Sequence, residues 1–373
     1  MRPLRIAVLA HIRHPIAEPF RGGMEAHAHQ LVHGLADRGH DVTLFAAGDS
    51  EVNVALRPLV PQHYDSIYPW HDFHGTDALN AHLDAAFEGC LHDLAGYDVV
   101  HNNALHRFPP RHAQSAGVPM VTSLHVPPFG ALQRAVHSAD APWMRYTACS
   151  NHLLQSYWPD GTAPRASVVP NGIDTARWPV SSHGNGEAIW AGRITPNKAP
   201  HMAAQAIRMA GLRMTIYGVI EHEDYFNDHL RPLWSQDIRY GGHVSSDDLA
   251  LAVSAASVLM FTPLWDEPFG LVAAEAMVCG TPVAAFDKGG VREVIGTSGG
   301  ALATAGDIAG LRAAIAQALT KDRASVARDA RTRLSKERML SAYEAQYRAA
   351  MAAARRRSPD RSGCRTTPAL AAP

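Results

Sequence analysis

The 373-residue sequence has few cysteines, no long apolar run and almost no net charge. The four cysteines lie far apart without a CxxC pair, which argues against structural zinc and a disulfide framework and favours a reducing cytoplasm. No stretch approaches the roughly 20 apolar residues that a membrane-spanning helix needs. The 34 basic residues nearly balance the 35 acidic ones, which argues against a general nucleic-acid-binding protein.

Three short motifs are also missing, and each would have indicated a cofactor. The 22 histidines include no HExxH and no other tight ligand spacing, so no metal site is predicted. No DxD motif stands in a suitable loop to carry a divalent cation. No GxGxxG follows Ala10, which argues against a dinucleotide-dependent oxidoreductase. We therefore predict a protein without a metal or a redox cofactor.

The length of the chain predicts two domains, and an apolar content of 46% is ample for their cores. The N-terminal run 4–10 (LRIAVLA) is too short for a membrane span and lacks a cleavage site, so we predict a buried strand. A helix at 25–38 and a strand at 41–46 follow it. This βαβ order is typical of doubly wound parallel sheets.

The same alternation continues and restarts after Pro170. The first half adds a helix at 76–95 and strands at 98–101 and 119–124. The second half has predicted strands at 187–191, 213–217, 258–262 and 282–286, and predicted helices at 199–210, 247–256, 271–279 and 307–319. We predict two α/β domains at 1–170 and 171–335, a long C-terminal helix at 336–354, and a disordered tail at 355–373, which is rich in Arg, Ser, Pro and Ala.

The most informative stretch runs from Glu267 to Ile295. It sets Glu267 in a turn and Glu275 inside a helix that Phe269-Gly270-Leu271 opens. A helix N-terminus presents unpaired N–H groups and about half a positive charge, so it binds phosphate, and a glycine there lets the chain approach a ligand closely. A carboxylate on each side of such a cradle can accept hydrogen bonds from two sets of hydroxyls. The stretch therefore predicts a site for a nucleotide-sugar.

This stretch resembles the E-x7-E signature of the family-4 retaining glycosyltransferases, which have the GT-B fold. The resemblance covers nearly the whole chain, from Ile6 to Met351. Other matching segments are Gly22-Gly23-Met24-Glu25, Thr122-Ser123-Leu124-His125, Asn171-Gly172-Ile173-Asp174, Trp190-Ala191-Gly192-Arg193 with Lys198, and Tyr240-Gly241-Gly242-His243-Val244. The ordered set is far more specific than two glutamates alone. It implies two Rossmann-like domains with parallel sheets facing a deep cleft, and a C-terminal helix that crosses back to the first domain.

The resemblance also implies roles for the residues that match. Glu267 would meet the hydroxyls of the donor sugar and Glu275 the ribose. The alternative for Glu275 is an exposed helix residue, but its apolar neighbours (VAAEAMV) predict burial, and a buried glutamate needs a partner. The predicted donor-binding residues are Gly22, Gly23, Arg193, Lys198, Val244, Glu267, Phe269, Gly270, Leu271 and Glu275.

Four side chains are predicted to be catalytic: His125, Arg193, Lys198 and Glu267. Arg193 and Lys198 follow a predicted strand, where a guanidinium fork and an ammonium can offset the charge of a diphosphate leaving group without a metal. His125 ends the strand at 119–124, the edge at which such sheets bind ligands. The resemblance implies that it donates to a sugar hydroxyl. The alternatives are a solvated surface pair and a core histidine.

Several other residues have two open interpretations. His11, His101 and His106 could line an acceptor cleft, but a core role is favoured for each. Asn171-Gly172 is a turn, which acts either as a hinge or near the donor. The aromatic segment 68–73 (YPWHDF) either contacts the acceptor or caps the first core, and the second interpretation is favoured.

The sequence thus predicts a cytoplasmic, metal-independent, retaining transferase. It would move a hexose-type sugar from a nucleoside-diphosphate sugar, with UDP favoured, to a hydroxyl of a lipid, glycan or small molecule. No nucleic-acid partner is predicted, and membrane contact would be peripheral at most, through Arg355-Arg356-Arg357. Two alternatives stay open: a GT-B sugar-nucleotide epimerase, and a catalytically silent nucleotide-sugar-binding protein.

Overall fold

The computed structural model describes residues 2–161 and 165–357, which form two parallel β-sheets with helices around them. The strands of the first sheet are β1 Arg5–Leu9, β2 Asp41–Ala47, β3 Ala55–Val60, β4 Val99–Asn102, β5 Met120–Leu124, β6 Met144–Ala148 and β7 Ala166–Val168. Their order is β3-β2-β1-β4-β5-β6-β7. The central strands β4 and β5 are buried along their whole length, as expected for a sheet covered on both faces.

The second sheet repeats this arrangement with six parallel strands. They are β8 Glu187–Ala191, β9 Arg213–Tyr217, β10 Ile238–Gly242, β11 Val258–Phe261, β12 Val283–Asp287 and β13 Gly300–Thr304. Their order is β10-β9-β8-β11-β12-β13. In each sheet the order reverses beside the first strand, which opens a crevice at the carboxyl ends of the strands. The predicted fold of two Rossmann-like domains is confirmed.

Helices connect the strands and cover both sheets. They are α1 Gly23–Asp37, α2 Trp70–Phe73, α3 Asp77–Cys90, α4 Phe108–Ala116, α5 Gly130–Ser138, α6 Asn151–Tyr157, α7 Pro200–Ala210, α8 Glu223–Tyr225, α9 Ser246–Ala255, α10 Leu271–Val278, α11 Val291–Ile295, α12 Ile308–Ala318, α13 Arg323–Arg333 and α14 Lys336–Arg357. None of the helices in the described ranges combines the length and the hydropathy needed to cross a bilayer.

The helices begin in two ways. Side-chain oxygens cap the first turn of five helices: Thr76, Ser150, Ser245, Asp307 and Asp322. Helices α1 and α10 instead follow Gly22 and Gly270, which have no side chain to cap them. Their N-terminal amide groups are therefore open to a ligand.

The last helix, α14, crosses back to the first sheet, as predicted. The Tyr347 hydroxyl lies 2.6 Å from Nδ1 of His101 in the first core, and Leu340 packs so closely on α1 that a Cβ at Gly34 would lie 2.6 Å from it. The prediction that the helix ends at residue 354 was wrong. It continues to Arg357, because alanine and arginine are strong helix formers. Residues 358–373 of the predicted tail lie outside the described residues.

The chain passes between the two sheets twice, and the two passages touch. The Ile173 N–H donates to Leu334 O at 2.7 Å, and the Lys336 N–H donates to Ile173 O at 2.9 Å. A Cβ at Gly172 would lie 2.7 Å from the Cα atom of Lys336, so the close approach requires glycine there. This contact explains Gly172 as a structural residue. The predicted domain boundaries fall near these passages and stay predictions.

Candidate active site

A cleft of about 790 Å³ opens between the carboxyl edges of the two sheets. One wall comes from the loops after β1, β4 and β5, and the other from the loops after β8 and β9 and the start of α10. All the residues predicted to be catalytic or donor-binding line it: Gly22, Gly23, His125, Arg193, Lys198, Val244, Glu267, Phe269, Gly270, Leu271 and Glu275. The sequence therefore located residues that the fold brings together from both halves of the chain.

The N-terminus of α10 forms the floor of one half of the cleft. Gly270 has a φ of 89°, and a Cβ there would lie 2.7 Å from the ring of Phe261, so this position requires glycine. Among the described residues, the N–H groups of Gly270, Leu271 and Val272 have no protein acceptor. These open amides and the helix dipole form a site that suits phosphate oxygens.

The start of α1 meets α10 across the cleft. A Cβ at Gly23 would lie 2.9 Å from Cδ1 of Leu271, so Gly23 allows the two helix N-termini to approach each other. A second contact between the halves lies nearby, where the His243 ring lies 3.2 Å from Phe20 O. Val244, the residue predicted to meet the nucleobase, follows this histidine and is half-buried.

Glu267 is buried and held by two donors. The Lys198 ammonium and the Trp265 indole N–H both donate to Oε2 of Glu267, the second at 2.8 Å. The ammonium also lies 5.2 Å from the Trp265 ring centre and 5.9 Å from that of Phe261. A cation is thus fixed between a carboxylate and two aromatic rings, next to the open amides of α10.

The backbone of Glu267 is fixed by a glycine pair. Its carbonyl accepts a hydrogen bond from the Gly290 N–H at 2.7 Å, and a Cβ at Gly289 would lie 2.3 Å from the same oxygen. Gly289 also has a φ of 68°, in the left-handed region that favours glycine. The turn after β12 therefore positions the carboxylate, a role that the sequence analysis did not assign.

Arg193 takes part in an ionic chain that sequence reasoning missed. Its guanidinium lies 2.7 Å from Glu221, which also binds Arg13 at 2.9 Å, and Arg13 binds Asp65 at 3.1 Å. Burial disfavours ionisation of Glu221, but the two guanidinium groups outweigh it and lower its pKa. No local motif signalled this chain in the sequence, because its members come from separate loops. An incoming phosphate would share Arg193 with Glu221.

His125 is a neutral, buried donor or acceptor. Burial, with a smaller contribution from His11, lowers its pKa to about 4. Its ring contacts that of His27 in a tilted arrangement with the ring centres 4.3 Å apart, and among the described residues its Nε2 has no hydrogen-bond partner. A neutral imidazole with a free ring nitrogen in the cleft suits the predicted contact with a sugar hydroxyl.

The other histidines divide between the core and the cleft. The prediction for His101 is confirmed, since both its ring nitrogens bind core partners. His11 and His106 both line the cleft. His106 also has the favoured core role, since it is buried, stacks on Phe87 at 4.7 Å and lies 3.0 Å from Asp84. His11 lies 3.2 Å from Glu25 in the first turn of α1. Burial opposes ionisation of Glu25, but this histidine prevails and lowers the pKa of Glu25 to about 2.

The residues of the aromatic segment 68–73 also lie partly in the core and partly along the cleft. Tyr68 and Phe73 pack on the first core with ring centres 5.3 Å apart, as favoured. Trp70 lines the cleft instead, so the core interpretation was wrong for it. The reason is that residues 70–73 form the helical turn α2, which points successive side chains in different directions. Asn171 also lines the cleft, and its buried Oδ1 has no partner among the described residues.

Glu275 lies on the cleft side of α10, in a half-buried position. Among the described residues its carboxylate has no hydrogen-bond or ion-pair partner. Burial raises its pKa from 4.5 to about 7, and the charge of Arg177 opposes this only in part. The partner that the sequence analysis expected for the Glu275 carboxylate is therefore not a protein side chain. This leaves the carboxylate available to a ligand hydroxyl.

The raised pKa of Glu275 predicts a stability effect that depends on pH. Because the folded-state pKa lies above the ordinary value, the contribution of Glu275 to the free energy of unfolding of the wild type falls as pH rises from 4.5 through about 7. Glu275→Gln removes the ionisation, so the variant should exceed the wild type by about 3 kcal/mol above this range and equal it below. Urea unfolding across the range measures the difference. The exposed Glu88→Gln is the control, and a difference independent of pH would contradict the assignment.

Two family models match the chain and meet near residue 177. "Glycosyltransferase Family 4" matches residues 21–177, and "Glycosyl transferases group 1" matches residues 176–337. The first match contains Gly22, Gly23 and His125, and the second contains Lys198 and both glutamates of the E-x7-E motif. Together the matches span both walls of the cleft.

Individual relatives extend over nearly the whole chain. The glycogen synthase of Mycobacterium tuberculosis is 29% identical, over 87% of this chain and 88% of that protein. The D-inositol 3-phosphate glycosyltransferase of Mycolicibacterium smegmatis is 26% identical, over 96% and 94%. The crystal structure of HepE from Anabaena in complex with UDP-glucose aligns with a TM-score of 0.70 at 17% identity, over 93% of this chain and all of that one (100%). This last likeness shows the fold.

Proposed function

Since the chain belongs to the family-4 glycosyltransferases of the GT-B fold, we propose that it moves a hexose-type sugar from a nucleoside-diphosphate sugar to an acceptor hydroxyl with retention of configuration. The observation that carries the proposal is the donor half of the cleft. There the open amides of α10 lie beside Lys198 and between Glu267 and Glu275. UDP is the proposed nucleotide, supported by the UDP-glucose complex of the structural relative.

We propose a part for each group in the reaction. Lys198, Arg193 and the α10 amides would stabilise the charge that grows on the leaving diphosphate, without reorganising as it forms. The leaving diphosphate would itself take the acceptor proton on the same face of the sugar. The neutral His125 would orient a sugar hydroxyl. These roles, like a cytoplasmic location, stay predictions.

A donor panel tests the proposal and separates it from the two alternatives. Thermal shifts with UDP-, GDP- and ADP-sugars identify the nucleotide, and we expect the UDP-sugars to stabilise the protein most. An epimerase would convert the nucleotide-sugar when no acceptor is present. A catalytically silent binding protein would show the shift but no turnover with any acceptor. A chain that no nucleotide-sugar stabilises would contradict the proposed function.

Retention is the second expected result. The product should keep the anomeric configuration of the donor, because the acceptor is proposed to attack on the face that the diphosphate leaves. Proton NMR of the glycoside, recorded as it forms, gives the configuration from the coupling constant between the anomeric proton and the neighbouring proton. An inverted linkage would show that the attack comes from the opposite face.

Independence from metal is the third expected result. Two cationic side chains and the helix amides provide the charge compensation that a divalent cation would supply. Activity should therefore survive EDTA. The control adds Mg²⁺ or Mn²⁺ back to the treated enzyme. A loss of activity in EDTA that either ion restores would contradict this part of the proposal.

A further inference from the structure

The acceptor half of the cleft, formed by residues before Pro170, is lined mainly by apolar and aromatic side chains. Leu79, Leu83 and Phe87 lie four residues apart on α3 and so share one face of the helix. Three aromatic residues from separate elements continue the lining. We name the set the apolar wall, and its members are Tyr64, Trp70, Leu79, Leu83, Phe87 and Phe129.

The apolar wall reaches from the core to the solvent. Leu79 and Phe87 are 2% and 1% exposed, whereas Trp70 and Phe129 are 36% and 44% exposed. When an apolar ligand covers large aromatic side chains that are exposed in a cleft, the burial of their surface stabilises the complex. The wall and the donor site line one continuous cleft, so a molecule long enough to span it can cover the wall and meet the donor.

The wall offers little to an anionic acceptor. Residues 1–170 contain no lysine. Arg13 is held by the two carboxylates described above, and Arg107 is held by Asp84. Arg21 is exposed, adjoins Gly22 in the chain and lines the cleft, but it is not part of the apolar wall. A phosphate or carboxylate packed against the wall itself would therefore be desolvated without a cation of the wall to offset the cost.

Three buried histidines of this half add no positive charge. Burial lowers the pKa values of His14, His106 and His125 to about 4, so all three are neutral at physiological pH. Within the wall itself, the Tyr64 hydroxyl and the Trp70 indole are the polar groups. A glycan, which presents a hydroxyl on almost every carbon, would leave most of them without partners against such a surface.

We propose that the acceptor is an uncharged hydroxyl compound with an apolar, ring-bearing body, such as a phenol or a polycyclic alcohol. The ring system covers the apolar wall and its hydroxyl points to the donor half. In the transfer the acceptor oxygen bonds to the anomeric carbon, the bond from that carbon to the diphosphate breaks, and the acceptor proton passes to the diphosphate. The proposal rests on the proposed function, and it differs from the inositol phosphate named for one relative.

The first test compares acceptors on the wild-type enzyme. The probes are naphthol and methylumbelliferone, against maltoheptaose and inositol phosphate, each with the nucleotide-sugar that stabilises the protein most. We expect both aromatic probes to form glycosides at a kcat/KM at least about tenfold above the polar probes. A faster reaction with either polar probe, or no glycoside from either aromatic one, would overturn the proposal.

The second test uses a charge placed on the wall. Phe129→Glu changes an exposed side chain, so the fold should be retained, and it should raise KM for naphthol at least about tenfold by putting an ion where the ring packs. The control is Ile67→Glu, which is 49% exposed on the same domain and lies outside the cleft. It should leave KM unchanged. Equal effects of both variants would overturn the proposal.

Calorimetry with UDP separates this inference from the function on which it rests. Phe129→Glu should bind UDP as the wild type does, because the donor half is intact. A variant that loses UDP affinity would place Phe129 in the donor site and overturn the acceptor assignment. A wild-type enzyme that binds no nucleotide would instead refute the proposed function itself.

Discussion

Lys198→Ala should lower kcat about a hundredfold to a thousandfold and weaken the binding of UDP. The ammonium is fixed between Glu267 and two aromatic rings, beside the open amides of α10. The loss of one preorganised group that stabilises transition-state charge typically has an effect of about this size. Steady-state kinetics with a UDP-sugar and calorimetry with UDP measure the two quantities.

The matched control for Lys198 is Lys288. It lies near the same loop, pairs with Asp266 at 3.1 Å, and is 39% exposed. Exposed ion pairs of this kind contribute about 1 kcal/mol or less, so Lys288→Ala should change kcat less than about fivefold. Arg193→Ala should behave like Lys198→Ala, though more weakly, because Glu221 already shares its charge. Unchanged UDP affinity in the Arg193→Ala, Lys198→Ala double variant would refute the diphosphate site.

Substitutions at the two glutamates should have different kinetic effects. Glu267→Gln should lower kcat at least about tenfold with little change in KM, because the sugar ring gains positive charge as its bond to the diphosphate breaks. Glu275→Gln should raise KM for the donor about tenfold with little change in kcat, because a ribose contact is present before and during the reaction. Initial rates over a range of donor concentrations separate the two parameters.

The stability of the two variants provides an internal control. Glu275→Gln should lose donor affinity while it gains stability above pH 7, so its weaker binding could not result from unfolding. Glu267→Gln leaves Lys198 without its anionic partner, so it should unfold more readily. If both variants lose nucleotide affinity alone, Glu267 does not contact the sugar and its assigned role is wrong.

The strands that the sequence predicted well are those buried on both faces. Runs such as RIAVL and EAIWA are apolar and buried after their first residue, and each predicted strand end lies within about one residue of the observed one. The strands that were not predicted are β3, β6, β7, β10 and β13, and two of them are short or half exposed. β3 contains Pro58 and is half exposed, and β7 has three residues. Strands like these depend on a neighbour for their hydrogen bonds, which local sequence does not reveal.

The residues of the candidate site likewise divide into those that the local sequence identified and those that it did not. Motifs local in sequence identified Glu267, Gly270 and Glu275, since one turn and one helix carry all three. The network around them was not predictable, because its members come together only when both sheets are formed. Arg13 and Glu221 lie far apart in the chain and meet across the cleft. The neutral state of His125 follows from burial, which motif matching does not report.

The two passages between the sheets have a mechanical consequence. Because Ile173 is hydrogen-bonded to Leu334 and Lys336, the connections run side by side and form one spine instead of two independent tethers. Lys336 also binds Asp174 at 2.7 Å, which strengthens this pairing. We therefore expect the two domains to move by a hinge rotation about the paired connections. One variable, the width of the cleft, would then affect the binding of the donor and of the acceptor together.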